Sequence, residues 1–459
     1  MTQAQLQLDE KLAAYRARGV SRVKLGLTDI DGVIRGKYVN LDKFQSLLVK
    51  GGGFCDCVFG WDIDDQLYDQ GSYTGWHTGF PDAAFRLIVS SERWLEEEGC
   101  PYFIGEFCIN AGEAEDHPLC PRTRLRVLLD RLAEHGLALR GGFEYEFFVF
   151  AESAHSVREK GYRNLQPLTP GNFGYSLLRT GVEADRFNGL MNYMAALGCD
   201  IEGLHCETGP GVWEAALAVA ADLEAADRAT LFKTFCKIFF QRQSCMATFM
   251  AKWSMDYPGQ SGHFHASLVN DEGANMFHAA DKPDGMSLLQ RQAVAGLCRY
   301  LPELLVLLAP TINSYTRLVR GAWAPTAASW GHENRTTAFR VISGGSAQRI
   351  ETRVGGADAN PYLVAAAVVA AMLGGIEGNL QPDEAIIGNA YDQQQGLPES
   401  RQFPGNLRTA AQRFGDSEFA RDMFGATFTE HFTMSRLWEC REYERNLNSW
   451  QLERYFEII

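Results

Sequence analysis

The spacing of hydrophobic positions changes along the chain, and each change predicts an element. Val23, Leu25 and Leu27 alternate with polar neighbours, Asp31-Gly32 supplies a turn, and Val33 and Ile34 resume the alternation, which predicts an antiparallel hairpin. A helix is expected from about Asp42 to Lys50, stopped by three consecutive glycines, with shorter β-like runs continuing to about Asn110. Residues 1–115 therefore read as a small α+β domain. The stretch from Glu113 to Pro121 is acidic and turn-rich, and Pro121 then opens an amphipathic helix, RTRLRVLLDRLAEH, that ends at Gly136. Beyond it, strand-like runs (Phe143 to Phe150, His263 to Leu268, Arg349 to Arg353) are interspersed with long helices without a βαβ rhythm. Residues 116–459 are expected to form one α+β domain around an antiparallel sheet. Asn360-Pro361 is a helix start, and the alanine-rich stretch behind it predicts a buried helix.

At 459 residues the chain is long enough for two domains with real cores, and 46% hydrophobic with 22% charged residues is ordinary globular composition. A formal charge of −14 excludes nonspecific binding to nucleic acid or anionic membrane, both of which need a cationic surface. The most apolar run, near Leu363 to Leu373, is shorter than the roughly 20 residues that span a bilayer. Eleven cysteines are scattered without ligand-like clusters, so reduced thiols and a cytoplasmic location are expected.

Chemistry enters through alternation. In GGFEYEFFVF, Glu144 and Glu146 leave the same face of a strand; so do His263 and His265 in GQSGHFHASL, and Arg349, Glu351 and Arg353 in QRIETRV. Any one such row is also what the wet face of a half-buried strand looks like. Glu207 and Glu214 flank Gly209-Pro210-Gly211 in HCETGPGVWE, where a loop could bring two more carboxylates together. If the rows converge, bound cations must offset the massed negative charge, and oxygen-rich ligands with a histidine suit magnesium or manganese. Arg317, Arg335 and Arg340 lie in a loop-rich stretch and, beside such carboxylates, point to phosphoryl chemistry.

These segments, with TDIDGVIRGKYV, NSYTRLV, SWGHENR, ANPYL and SWQLERYFEII, resemble the motifs of the glutamine synthetase superfamily in family order and over essentially the whole chain. The resemblance implies a β-grasp N-terminal domain, a catalytic domain with a curved antiparallel sheet, and hexameric rings, stacked as a dodecamer, with active sites between neighbours. It implies ATP and two or three Mg2+ or Mn2+ ions, one held by Glu146, Glu207 and Glu214, another by Glu144, His263 and Glu351. His265, Ser267, Arg340, Arg349 and Glu202 would meet the nucleotide, Arg335 the phosphoryl group in transfer, and Gly259, Arg317 and Arg353 the acid substrate.

The sequence departs from that pattern on the amine side. Trp323 stands where true glutamine synthetases carry a flap glutamate, and Phe54, with Asp56 nearby, where they carry the acid that binds ammonium. An indole cannot take a proton from ammonium, whereas it suits an organic amine. The chain thus resembles the glutamate–amine ligase branch, near the gamma-glutamylpolyamine synthetases; glutamine synthetase proper, a ligase for another acid, and a non-catalytic homologue are the competing readings. Pro258 replaces an asparagine that contacts the amino-acid substrate, and Asn389-Ala390-Tyr391 resembles a loop whose tyrosine is adenylylated in some bacterial relatives.

Overall fold

Residues 3–110 and 115–459 are described by a computed structural model. Helix α1 (Gln3–Ala17) leads into strand β1 (Arg22–Thr28), whose Val23, Leu25 and Leu27 are buried as the alternation requires. It pairs antiparallel with β2 (Ile34–Asn40). The connection is wider than the expected Asp31-Gly32 turn, and Val33 falls inside it. The Asp29 carboxylate accepts the backbone N–H groups of Asp31 (3.0 Å) and Val33 (2.9 Å), so a side chain organises the turn together with the Asp29 N–H to Val33 carbonyl bond at 3.1 Å. Helix α2 (Leu41–Lys50) is capped by the Asn40 side chain and stops at Gly51, whose φ is +67°. Strands β3 (Gly52–Cys55), β4 (Asp82–Leu87), β5 (Arg93–Leu95) and β6 (Cys100–Cys108) complete a six-stranded sheet ordered β2-β1-β6-β4-β3, with β5 on β6. Only β1 and β6 run parallel.

The junction expected near residue 115 abuts residues 111–114, so Glu113 and Ala114 of the acidic turn lie outside the described residues. Helix α3 (Pro121–Glu134) begins where expected, with proline in its first turn. The second sheet comprises β7 (Ala138–Phe150), β8 (Ile201–Cys206), β9 (Val212–Leu217), β10 (Ala220–Ala221), β11 (Met246–Thr248), β12 (Gly262–Val269), β13 (Trp330–His332), β14 (Phe339–Ile342) and β15 (Arg349–Thr352). Its order is β13-β14-β15-β12-β7-β9-β8, with β10 and β11 also on β7, and it is antiparallel except for β13 with β14. Phe143, Tyr145 and Phe147 leave one face of β7 and are fully buried, Tyr145 and Phe147 against α4 (Leu223–Arg242), which contributes Phe232 and Phe240, and Phe143 against Tyr145 and Phe264. The opposite face is left to the polar rows.

Helices α5 (Leu288–Leu304) and α6 (Pro361–Glu377) pack closely. α6 is the expected alanine-rich helix, capped by Asn360 and buried from Pro361 to Gly375. A final long helix, α7 (Ala426–Arg445), packs on the small sheet's loops through Trp438, which donates to Asp62 at 3.0 Å. All eleven cysteines are free thiols. Among the described residues no helix is long and apolar enough to cross a membrane.

Candidate active site

Strand register carries the polar rows into one cluster. On β7, Glu144 lies opposite His263 of β12, and Glu146 opposite Glu214 of β9. Glu214 in turn faces His205 of β8, while Glu351 of β15 lies between His265 of β12 and Arg340 of β14. Glu207 follows β8 directly, its N–H bonded to the Val212 carbonyl at 3.0 Å, so the Gly209-Pro210-Gly211 turn returns the chain to Glu214. Five glutamates from four segments thus share one sheet face with three histidines.

Carboxylate and imidazole atoms approach within 4.8 Å of one another in two groups: Glu144, His265 and Glu351, and His205, Glu207 and Glu214. In the first, His265 Nε2 is 3.2 Å from Glu144, and its Nδ1 accepts from Arg349 Nε at 3.1 Å. His263 Nδ1 reaches the same carboxylates, 3.5 Å from Glu144 and 3.4 Å from Glu351. In the second, His205 Nε2 sits 3.6 Å from Glu207 and 3.8 Å from Glu214, its ring stacked on Tyr175 at 4.4 Å. Glu146 accepts the Ser261 N–H at 2.7 Å.

The electrostatics follow from crowding. Burial, then the charges of Glu146, Glu144 and Glu207, push the Glu214 carboxyl up to about 9. Burial followed by the nearby Arg353 charge holds the His263 imidazolium form down. Burial works against ionisation of Glu351, but the charges of His263 and Arg353 draw it down to about 2. Crowded carboxylates beside buried imidazole nitrogens, with His205 Nε2 and His263 Nε2 lacking hydrogen-bond partners among the described residues, fit divalent cations held by oxygen and nitrogen.

Cationic groups rim the cluster. Arg340 bridges Glu351 (3.0 Å) and Glu333 (2.7 Å), and Arg353 pairs with Glu351 while its Nε donates to the Arg335 carbonyl at 3.1 Å. The Arg335 residue borders a recess of about 330 Å³ between residues 332–335 and 385–388. Arg317 is only 3% exposed and donates to Ser261 Oγ and the Val354 carbonyl, both at 2.9 Å. Gly259 lies against it: a Cβ there would meet Arg317 Cγ at 2.7 Å, so only glycine leaves the arginine in place. Ser267 follows His265 along the same face of β12, whereas Glu202, expected at the nucleotide, sits exposed at the β-bulge between Ile201 and Gly203. Trp323 is 63% exposed on a loop that also carries Gly321. Phe54 packs edge-on against Phe107 in the small sheet, off the carboxylate face of the second sheet. Pro258 directly precedes Gly259.

His205 is not among the expected ligands, although it stands two residues before Glu207, the same spacing that marks the other rows. Tyr175 carries no such signal, because its stacking on His205 depends on a loop distant in sequence.

Massed carboxylates, imidazoles and a rim of guanidinium groups serve a reaction carried by several negative charges, and the class so defined is that of the ATP-dependent carbon–nitrogen ligases. The chain belongs to the glutamine synthetase family: residues 118–455 match the family of the glutamine synthetase catalytic domain. It is 43% identical to type-1 glutamine synthetase 2 of Dictyostelium discoideum, over 95% of this chain and 84% of that protein. It is 34% identical to the glutamate–isopropylamine ligase of a Pseudomonas species, over 96% of each. A solved structure of GmaS in complex with ADP superposes with a TM-score of 0.84 at 26% identity, covering 97% of this chain and 99% of that one.

Proposed function

We propose that the protein joins the γ-carboxylate of glutamate to an organic amine at the expense of ATP. In this reaction the terminal phosphoryl group passes from ATP to the carboxylate, and the amine then attacks the acyl phosphate and expels phosphate. Divalent cations held by Glu146, Glu207 and Glu214, and by Glu144, His263 and Glu351, would neutralise phosphate charge when bound. The chain's own groups do the rest. His265 meets phosphate oxygens, with Ser267, Arg340, Arg349 and Glu202 as further nucleotide contacts, and Arg335 stabilises the phosphoryl group in transfer. Arg317, held in place by Gly259, and Arg353 grip the acid.

The observation that carries the amine reading is Trp323: the flap loop presents an exposed indole where ammonium use calls for an acid, while carboxylates and imidazoles gather in two groups, Glu144 with His265 and Glu351, and His205 with Glu207 and Glu214. Relatives at 34% and 31% identity are named for isopropylamine and putrescine as the partner of glutamate. A second reading, ammonium as the nitrogen donor, is favoured by the Dictyostelium relative named as a glutamine synthetase. ADP release measured with glutamate, ATP, Mg2+ or Mn2+, and a panel of primary amines beside ammonium separates the two. An alkylamine should support turnover at least about tenfold faster than ammonium, about 1.4 kcal/mol of selectivity. Ammonium equal to the best amine would favour the second reading, and no glutamate-dependent release with any donor would sink the ligase.

The small sheet, residues 1–115, is proposed as a β-grasp domain, with 116–459 as the catalytic domain. Copies are proposed to assemble into hexameric rings and a dodecamer in which Phe54 and Asp56 complete a neighbour's site. The position of Phe54 on β3 of the small sheet and of Asp56 in the turn that follows it, off the carboxylate face of their own chain, supports this.

A further inference from the structure

We infer that the Tyr391 hydroxyl is a third contact for the acid substrate's carboxylate, beside Arg317 and Arg353. This rests on the proposed reading of the two arginines and goes beyond it.

Tyr391 lies in a short helical turn, Ala390–Gln393, fixed from two sides. The Ala390 N–H donates to Thr336 Oγ1 at 2.9 Å, tying the turn to the loop of Arg335. Asp392 pairs with Arg320 at 3.2 Å and accepts from Asn389 Nδ2 at 2.9 Å, tying it to the loop of Trp323. Asn389 also caps the turn through the Tyr391 N–H at 3.1 Å. Held this way, the half-buried Tyr391 has its hydroxyl closed off from solvent, without a hydrogen-bond partner among the described residues. Both ties lead toward the two arginines: Thr336 adjoins Arg335, whose carbonyl takes Arg353 Nε at 3.1 Å, and Arg320 follows Arg317 by three residues, so that their charges reach the phenol.

A buried hydroxyl without a partner is costly and is kept where a ligand supplies one. Two guanidinium groups around it select an anion, and a neutral O–H adds direction without further charge. A carboxylate between the arginines satisfies all three. The resemblance of this loop to an adenylylated one therefore does not extend to an outward-facing phenol.

Tyr391→Phe removes the oxygen alone. The KM for glutamate should rise about tenfold, the loss of one hydrogen bond to a charged group, with kcat and the KM for ATP within about twofold of wild type. An unchanged KM for glutamate, or a parallel rise in the KM for ATP, would overturn the inference. Calorimetric titration of glutamate into both proteins with Mg2+ and a non-hydrolysable ATP analogue decides the same point without turnover: about tenfold weaker binding to the variant supports it, equal affinity overturns it. Wild-type protein that binds glutamate but releases no ADP with any nitrogen donor sinks the ligase reading and leaves Tyr391 to that titration. Wild-type protein that binds no glutamate overturns both.

Discussion

Trp323 holds its backbone at φ +56°, a region costly for a bulky residue, and exposes its ring rather than packing it. A side chain that neither relaxes its backbone nor fills the core is placed for something that arrives from outside. Trp323→Glu should therefore move the ratio of kcat/KM for ammonium over alkylamine toward ammonium by about tenfold, the scale of one lost cation–π contact and one gained carboxylate; a ratio unchanged in paired rate assays would remove Trp323 from the amine site. At this scale the sequence was most readable where strand parity did the work. Glu144 with Glu146, His263 with His265, and Glu351 with Arg349 and Arg353 were found because a two-residue spacing puts side chains on one face. Tyr391 could not be found that way, because its direction is set by Thr336 and Arg320, dozens of residues distant.

Elements follow the same division. Helix α6 was legible from Asn360-Pro361 and its alanines, and the first hairpin from its alternating apolar residues, since caps and periodicity are local. Strand order was not. The pairing of His263 with Glu144 joins residues more than a hundred apart, and nothing in the spacing of either strand names the other. The contact of α5 with α6 is equally non-local and leaves little room: a Cβ on Gly296 would lie 2.0 Å from the Ala371 carbonyl oxygen, and one on Gly375 2.1 Å from that of Gln292. Gly296→Ala should force the helices apart at a cost of about 1–3 kcal/mol, lowering the thermal midpoint by about 1–4 °C in a calorimetric scan. A midpoint within a degree of wild type would mean the helix pair yields more easily than its backbone packing indicates.

The whole molecule carries an acid-sensitive joint. His117, just before α3, stacks on Phe59 of the small sheet's side at 4.7 Å, shares a hydrogen bond with the Tyr73 hydroxyl at 2.9 Å and accepts the Leu119 N–H on Nδ1 at 3.2 Å. Burial, then the charges of Arg124 and His431, press its ionisation from 6.5 down to about 3. The folded state thus refuses a proton that the unfolded chain accepts. This contribution to stability is complete above pH 6.5 and is lost as pH falls toward 3, reaching about 2 kcal/mol by pH 5. Urea unfolding at pH 7.5 and 5.0 should show that loss in wild type and a smaller one in His117→Phe; equal losses would place the sensitivity elsewhere.

A second joint runs through charge. Arg122 of α3 bonds both oxygens of Asp227 on α4, at 2.9 and 3.0 Å, and also Glu106 of β6, with all three side chains buried and Tyr362 of α6 donating to Asp227 at 2.6 Å. Breaking such a buried set leaves an uncompensated charge at a cost of about 3–5 kcal/mol. Chimeras that take their first hundred-odd residues from one relative and the remainder from another must therefore carry positions 106, 122 and 227 from a single parent. The recombination point that linker length alone would suggest, near residue 115, separates Glu106 from the other two, and hybrids cut there will survive only between parents that agree at all three.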